Sequence, residues 1–179
     1  MMKRLISSLT KCIKKEIEKG RYIQPVFKKW EPFRSFMGGL IAISCLGILS
    51  NLSTYPLLIA PFGASTVLLF GAPNSPLAQP RNLIFGNLVG AISAVLCVFL
   101  LGSSSLTSGI AVGLAIALGQ ACRCLHPPAG AVALLGVLLQ ASPIFIFIPV
   151  LSGSLILLGI ALVFHRFQKR EQFYPMHWL

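Results

Sequence analysis

The sequence predicts an all-α integral membrane protein, with four full transmembrane helices and two short, proline-broken helices arranged as two inverted repeats. Three observations carry this expectation. The first is composition. Of 179 residues, 55% are hydrophobic and only 11% charged, with a mean hydropathy of +0.82, whereas soluble domains carry about 25% charged residues. The second is charge placement. Ten of the fifteen Lys and Arg fall in residues 1–34, and three more follow the last apolar segment. Such juxtamembrane charge orients a membrane protein and attracts anionic lipid, so the net charge of +11 does not imply a nucleic-acid partner. The third is a repeated device. Ala60-Pro61-Phe62-Gly63-Ala64 and His126-Pro127-Pro128-Ala129-Gly130-Ala131 share the pattern Pro-x-Gly-Ala, each after one apolar segment and before another. Two interrupted segments in corresponding halves are a sequence pointer to a transporter site.

Taken in order, residues 1–34 form a basic N-terminal segment. Met2, Ile6, Leu9, Ile13 and Ile17 fall on one helical face, with Lys11, Lys14 and Lys15 mostly elsewhere and Gly20 as a stop. This predicts a helix lying on the cytoplasmic membrane surface, with anionic lipid as its partner. Tyr22 and Trp30 suit the interface that follows. The apolar run is too short for a signal peptide, and Glu16 and Glu18 speak against a transit peptide.

Residues 35–165 form the membrane domain. Apolar segments lie at about 36–53, 56–71, 82–101, 108–124, 128–140 and 144–164, giving halves of about 36–101 and 108–164. A full span needs roughly 20 residues, which the third and sixth segments reach. The second and fifth are short and begin near the proline breaks; they either cross or re-enter. Residues 166–179 are a short basic tail. With the N-terminal cluster in the cytoplasm and every segment crossing, connector 73–81, Arg123 and the tail also fall there, and the uncharged connector 102–107 falls outside. The five cysteines are scattered and odd in number, and most should be buried. Gly38, Gly39, Gly86, Gly90, Gly113, Gly119 and Gly159 are expected where helices pack closely.

The breaks carry the candidate chemistry. Proline fits the first position of a helix, where its missing donor costs nothing. A helix starting at about Pro128 opens with Ala129, Gly130 and Ala131, so its first amides should be uncrowded and unpaired at the positive end of the dipole. Pro61, Gly63 and Ala64 repeat the arrangement. Ser65 and Thr66 then either add hydroxyl donors or back-bond to helix carbonyls. His126 either donates to an anion or moves a proton, or else caps and packs. Between Arg34 and Arg166 stand two charged residues, Arg81 and Arg123, and no acid. They either make an anion-selecting cavity with the helix N-termini or snorkel to lipid phosphate. Asn82, with Gln79 and Asn87 nearby, offers further donors beside Arg81. Cys122-x-Cys124-x-His126 is not expected to bind metal, since a helix turns Cys124 off the shared face. No cofactor is expected.

Ala60-Pro-Phe-Gly-Ala-Ser, Pro73-Asn-Ser-Pro-Leu-Ala-Gln-Pro-Arg-Asn82 and Leu125-His-Pro-Pro-Ala-Gly-Ala131 together resemble the HPP family of small integral membrane proteins. The resemblance implies four transmembrane helices and a minimal version without the CBS module that some members carry. It also implies a link to nitrite transport, known for members from chloroplasts and cyanobacteria. Gly86-Asn87 stands where members often have Gly-His, and Val132 where a Thr is usual. The expected function is permeation of a small inorganic anion, nitrite by resemblance, through a homo-oligomer in a bacterial, cyanobacterial-type inner membrane. Two rivals are a structural or sensor subunit without transport, and an intramembrane enzyme using His126. The enzyme reading is disfavoured, because no carboxylate can orient the histidine and no serine partner is legible.

Overall fold

The computed structural model describes residues 2–23, 26–53, 55–167 and 174–178, and its contacts divide the chain into units 1–32 and 33–179. In the first unit, α1 (Met2–Ile23) is amphipathic as expected: Ile6, Leu9, Ile13 and Ile17 form an exposed stripe. The side chains of Met2 and Tyr22, and Lys169 and Arg170 of the tail, lie outside the described residues. The Lys28 amide donates to Glu31 Oε2 at 2.8 Å, and the Glu31 amide donates to the Lys28 carbonyl at 2.9 Å. This reciprocal pair opens α2 (Glu31–Leu52).

The second unit continues with α3 (Ala60–Gly71), α4 (Asn82–Leu101), α5 (Ser105–Ala121), α6 (Pro127–Leu138) and α7 (Ile146–Arg166). Among the described residues, three helices, α2, α4 and α7, are long and apolar enough to cross a membrane. The expected fourth, α5, has 17 residues and a length of about 25 Å at 1.5 Å per residue. Its limits are set by its caps. Ser104 Oγ accepts the Thr107 amide at 3.1 Å, which starts α5 earlier than residue 108. Its end comes before residue 124, because Arg123 adopts a left-handed backbone at φ 53°.

That end recurs in α6. After α5, the Cys124 amide donates to the Gly119 carbonyl and the Arg123 amide to Gln120; after α6, Ala141 donates to Gly136 and Gln140 to Val137. Both are Schellman motifs. Arg123 and Gln140 (φ 49°) take the left-handed position that glycine usually fills.

Helices α4, α5 and α6 pack on one another, and α3 lies against α6 and α7. Close approach depends on missing side chains, as expected where lipid supplies no hydrophobic drive. A Cβ on Gly90 would strike the Ala129 carbonyl, and one on Gly136 would lie 2.6 Å from the Ala94 methyl. Phe62 fills the space over Gly153, and Phe70 the space over Gly38. The expectation fails for Gly113 and Gly159, which are exposed and meet nothing. It fails also for three cysteines: only Cys97 and Cys124 are buried. A wide π-type turn lies at Val67–Gly71, at Asn82–Gly86 and at Ile146–Leu151, the last around Pro149, which cannot donate to the helix.

Candidate functional site

The site grows from the connector between α3 and α4. Ser75 Oγ accepts the Leu77 amide and starts a tight turn, Pro76–Ala78. Gln79 is fully buried, and its Nε2 donates to the carbonyls of Pro73 (3.0 Å) and Ser75 (2.9 Å), closing the loop on itself. The loop then grips the segment after α5. Arg81 Nη2 donates to the Cys122 carbonyl at 2.9 Å, and Asn82 Nδ2 to the Leu125 carbonyl at 2.7 Å. Arg81 thus places its charge at the negative end of the α5 dipole.

His126 is delivered by that segment. Its backbone is extended (φ −133°, ψ 110°), as the residue before a proline requires. A Cβ on Gly86 would lie 2.5 Å from His126 Cβ, so the glycine makes the room. The ring is buried and bonded at both nitrogens: Nδ1 to the Leu77 carbonyl at 3.0 Å, Nε2 to Ser65 Oγ at 2.9 Å. A carbonyl can only accept, so Nδ1 carries a proton; with one proton on the ring, Nε2 accepts from the Ser65 hydroxyl. The residue before the second break therefore touches the first broken helix, and the two devices meet.

The serine partner that the sequence does not reveal is Ser65. Its geometry is that of a nucleophile and base. Its surroundings differ from those of a hydrolase: the hydroxyl is fully buried and the third member is a carbonyl, not a carboxylate. Thr66 is spent locally, donating to the Phe62 carbonyl at 2.7 Å.

One of the amides expected to be unpaired, that of Ala129, is engaged. Helix α6 begins at Pro127, one residue earlier than expected, so its first two positions have no N–H, and the Ala129 amide donates to the His126 carbonyl at 2.8 Å. In α3, Pro61 is at the second position and the Phe62 amide donates to Ile59 at 3.0 Å. Gly63, Ala64 and Ala131 are exposed and Gly130 is half-buried. Gly130 and Ala131 border an open groove of about 590 Å³ between α5 and α6, with His126, Pro127, Val112 and Ile116. Arg123 is exposed and adjoins Cys122, whose carbonyl Arg81 holds. Asn87, expected as a donor beside Arg81, instead donates its Nδ2 to Ser154 Oγ at 3.1 Å, both buried, which ties α4 to α7.

The family model for the HPP transmembrane region matches residues 24–175. Two transmembrane proteins of Dictyostelium discoideum are similar to the chain. One is 44% identical over 129 residues, covering 68% of this chain and 45% of the relative. The other is 36% identical over 182 residues, covering 88% and 58%. The chain thus spans about half the length of the curated relatives it matches. No solved structure matches it. The three motifs, the apolar helices and the match over residues 24–175 agree, and the chain belongs to the HPP transmembrane-region family of integral membrane proteins.

Proposed function

We propose that the protein is a pathway for a small inorganic anion, nitrite by family resemblance. The carrying observation is the meeting of the two broken helices at Ser65 and His126. It occurs in a stretch whose only charges between Arg34 and Arg166 are two arginines. Fixed positive charge without a compensating acid raises local anion concentration, and two helix starts add positive dipole ends. The halves are read as inverted repeats: α3 follows the non-helical residues 55–59 and α6 follows the non-helical residues 122–126. Four helices, α2, α4, α5 and α7, then cross fully, and α3 and α6 each complete a crossing with the non-helical residues before them, three crossings per half.

The orientation proposed is cytoplasmic for both termini and connector 73–81, external for 102–107, in a bacterial inner membrane. Arg81 and Arg123 support it by sharing one end of the bundle. The exposed stripe and lysines of α1 suit anionic lipid. A homo-oligomer is proposed because Gly63, Ala64 and Ala131 face outward from a single chain. The test is nitrite flux by purified protein in liposomes, against protein-free vesicles. No flux above that background, with correctly inserted protein, rejects the pathway in favour of a subunit without transport.

A further inference from the structure

We infer that residues 174–176 are a latch which, through one three-residue turn, holds His126 in its bond to Ser65. The turn is Pro76–Ala78, continued by Gln79. Three successive positions on it each hold a different partner. The Leu77 carbonyl accepts from His126 Nδ1 at 3.0 Å; the Ala78 carbonyl accepts from the Tyr174 hydroxyl at 3.0 Å; Gln79 Oε1 accepts from the Met176 amide at 2.8 Å. Gln79 uses its other end to close the loop on Pro73 and Ser75. The tail is thus bonded to the two residues next to the one that fixes the imidazole.

The tail has its own seat. The Tyr174 ring centroid lies 4.9 Å from that of His165, which stacks on Phe70 at 5.7 Å, and Phe70 meets Phe164 edge-on at 5.2 Å. His165 Nε2 donates to the Leu69 carbonyl at 2.9 Å. The latch therefore sits on the ends of α3 and α7, the same α3 that carries Ser65. Burial pushes the Tyr174 phenol above its ordinary pKa, which keeps its donor proton in place.

Coupling follows from geometry. The Leu77 carbonyl shares one rigid peptide plane with the amide and Cα of Ala78, so a displacement of the Ala78 backbone carries that carbonyl with it. A hydrogen bond at 3.0 Å is lost by about 3.5 Å. A shift of half an ångström or so at the turn is thus enough to release Nδ1. The ring can then turn, and Ser65 loses its acceptor. This reading does not depend on what permeates.

The test uses native Cys124, which is 1% exposed and stands two residues before His126. In the full chain in lipid nanodiscs, with the other cysteines replaced by serine, the rate of maleimide labelling at Cys124 is measured. Tyr174→Phe removes the hydroxyl and keeps the ring. We expect labelling to rise about fivefold, the factor one net hydrogen bond is worth, and further in Tyr174→Ala. A matched chain keeping only Cys97, 3% exposed and packed with Ala94, Ala111 and Val137, reports on the bundle as a whole. Its rate should stay level. An unchanged Cys124 rate in both variants overturns the latch. So does an equal rise at Cys97, which would mean general loosening.

Discussion

Ser65 and His126 lie 61 positions apart in the sequence, yet the serine hydroxyl and Nε2 are 2.9 Å apart, with both side chains buried. The bond joins α3 to the residue that opens α6. Ser65→Ala should leave Nε2 buried without a donor, a loss of about 1–3 kcal/mol of stability. Thr66→Ala should cost less, because it removes only a bond within α3. The double substitution Ser65→Ala with His126→Phe should lose less than the sum of the singles, since neither partner is then left unpaired. Thermal unfolding in one detergent ranks the four chains. Strict additivity would mean that the hydrogen bond is not formed in the membrane protein.

Arg123 separates charge from backbone. Its φ of 53° is a conformation that costs most residues about 1–2 kcal/mol and glycine nothing. Arg123→Gly should therefore raise the unfolding temperature, while Arg123→Ala should not. If Arg123 only anchors to lipid phosphate, anion flux stays near wild type in both. A large loss of flux in Arg123→Gly, with the stability gain intact, would place the charge on the pathway.

Arg81 is the other case. Its guanidinium holds the Cys122 carbonyl, so it has a structural task besides any electrostatic one. Arg81→Lys keeps the charge but loses the planar fork; Arg81→Gln keeps some donor capacity and loses the charge. If charge selects the anion, flux should fall further in Arg81→Gln than in Arg81→Lys. The reverse order, with equal protein in the membrane, would assign Arg81 to the loop alone.

The membrane class, the helix order and the two breaks are legible in the sequence because proline acts locally and apolar runs are continuous. Pro61 and Pro127 announce helix starts by a missing donor, whatever surrounds them. The helix ends are less legible. Arg123 and Gln140 take a left-handed conformation with no glycine to signal it, so α5 was expected to run three residues further. The unpaired amides at Ala129 were expected from helix geometry alone; placing Pro127, not Pro128, first removes two donors and engages the third. The contacts of His126 with Ser65 and Leu77, and of Tyr174 with Ala78, span 49 to 96 positions. No periodicity or spacing encodes such pairings, and no motif marks Gln79 as the brace of its loop.

The proposed orientation can be checked with residues that the fold does not use. Asn74, on the connector before α4, and Leu106, in the first turn of α5 beyond the other end of α4, are both exposed. Neighbours such as Ser75 and Ser104 are poor choices, because both cap a turn or helix. In a cysteine-free background, Asn74→Cys should react with a membrane-impermeant reagent only from the cytoplasmic side, and Leu106→Cys only from the outside. Reaction of both from one side would reject a full crossing by α4, and the inverted repeat with it.

His126 decides between a passive and a proton-coupled pathway. Proton-coupled transport generally uses a titrating group inside the membrane, and the chain has no Asp or Glu between Glu31 and Glu171. That leaves His126 and, at the end of α7, His165. His126 is held at both nitrogens, by Leu77 and Ser65. To take a second proton, it must turn the Ser65 hydroxyl from donor to acceptor, in a buried site with no anion beside it among the described residues. A passive pathway is therefore expected. His126→Gln should lower flux modestly and leave its pH dependence between pH 5 and 8 unchanged, because a histidine that keeps one proton gives the amide no titration to remove. The measurement is nitrite entry into liposomes with and without a pH gradient, wild type beside His126→Gln. Uphill accumulation in wild type that vanishes in His126→Gln, with anion exchange preserved, would make His126 the coupling group. Uphill accumulation in both would move the proton site elsewhere, with His165 on α7 the next residue to substitute.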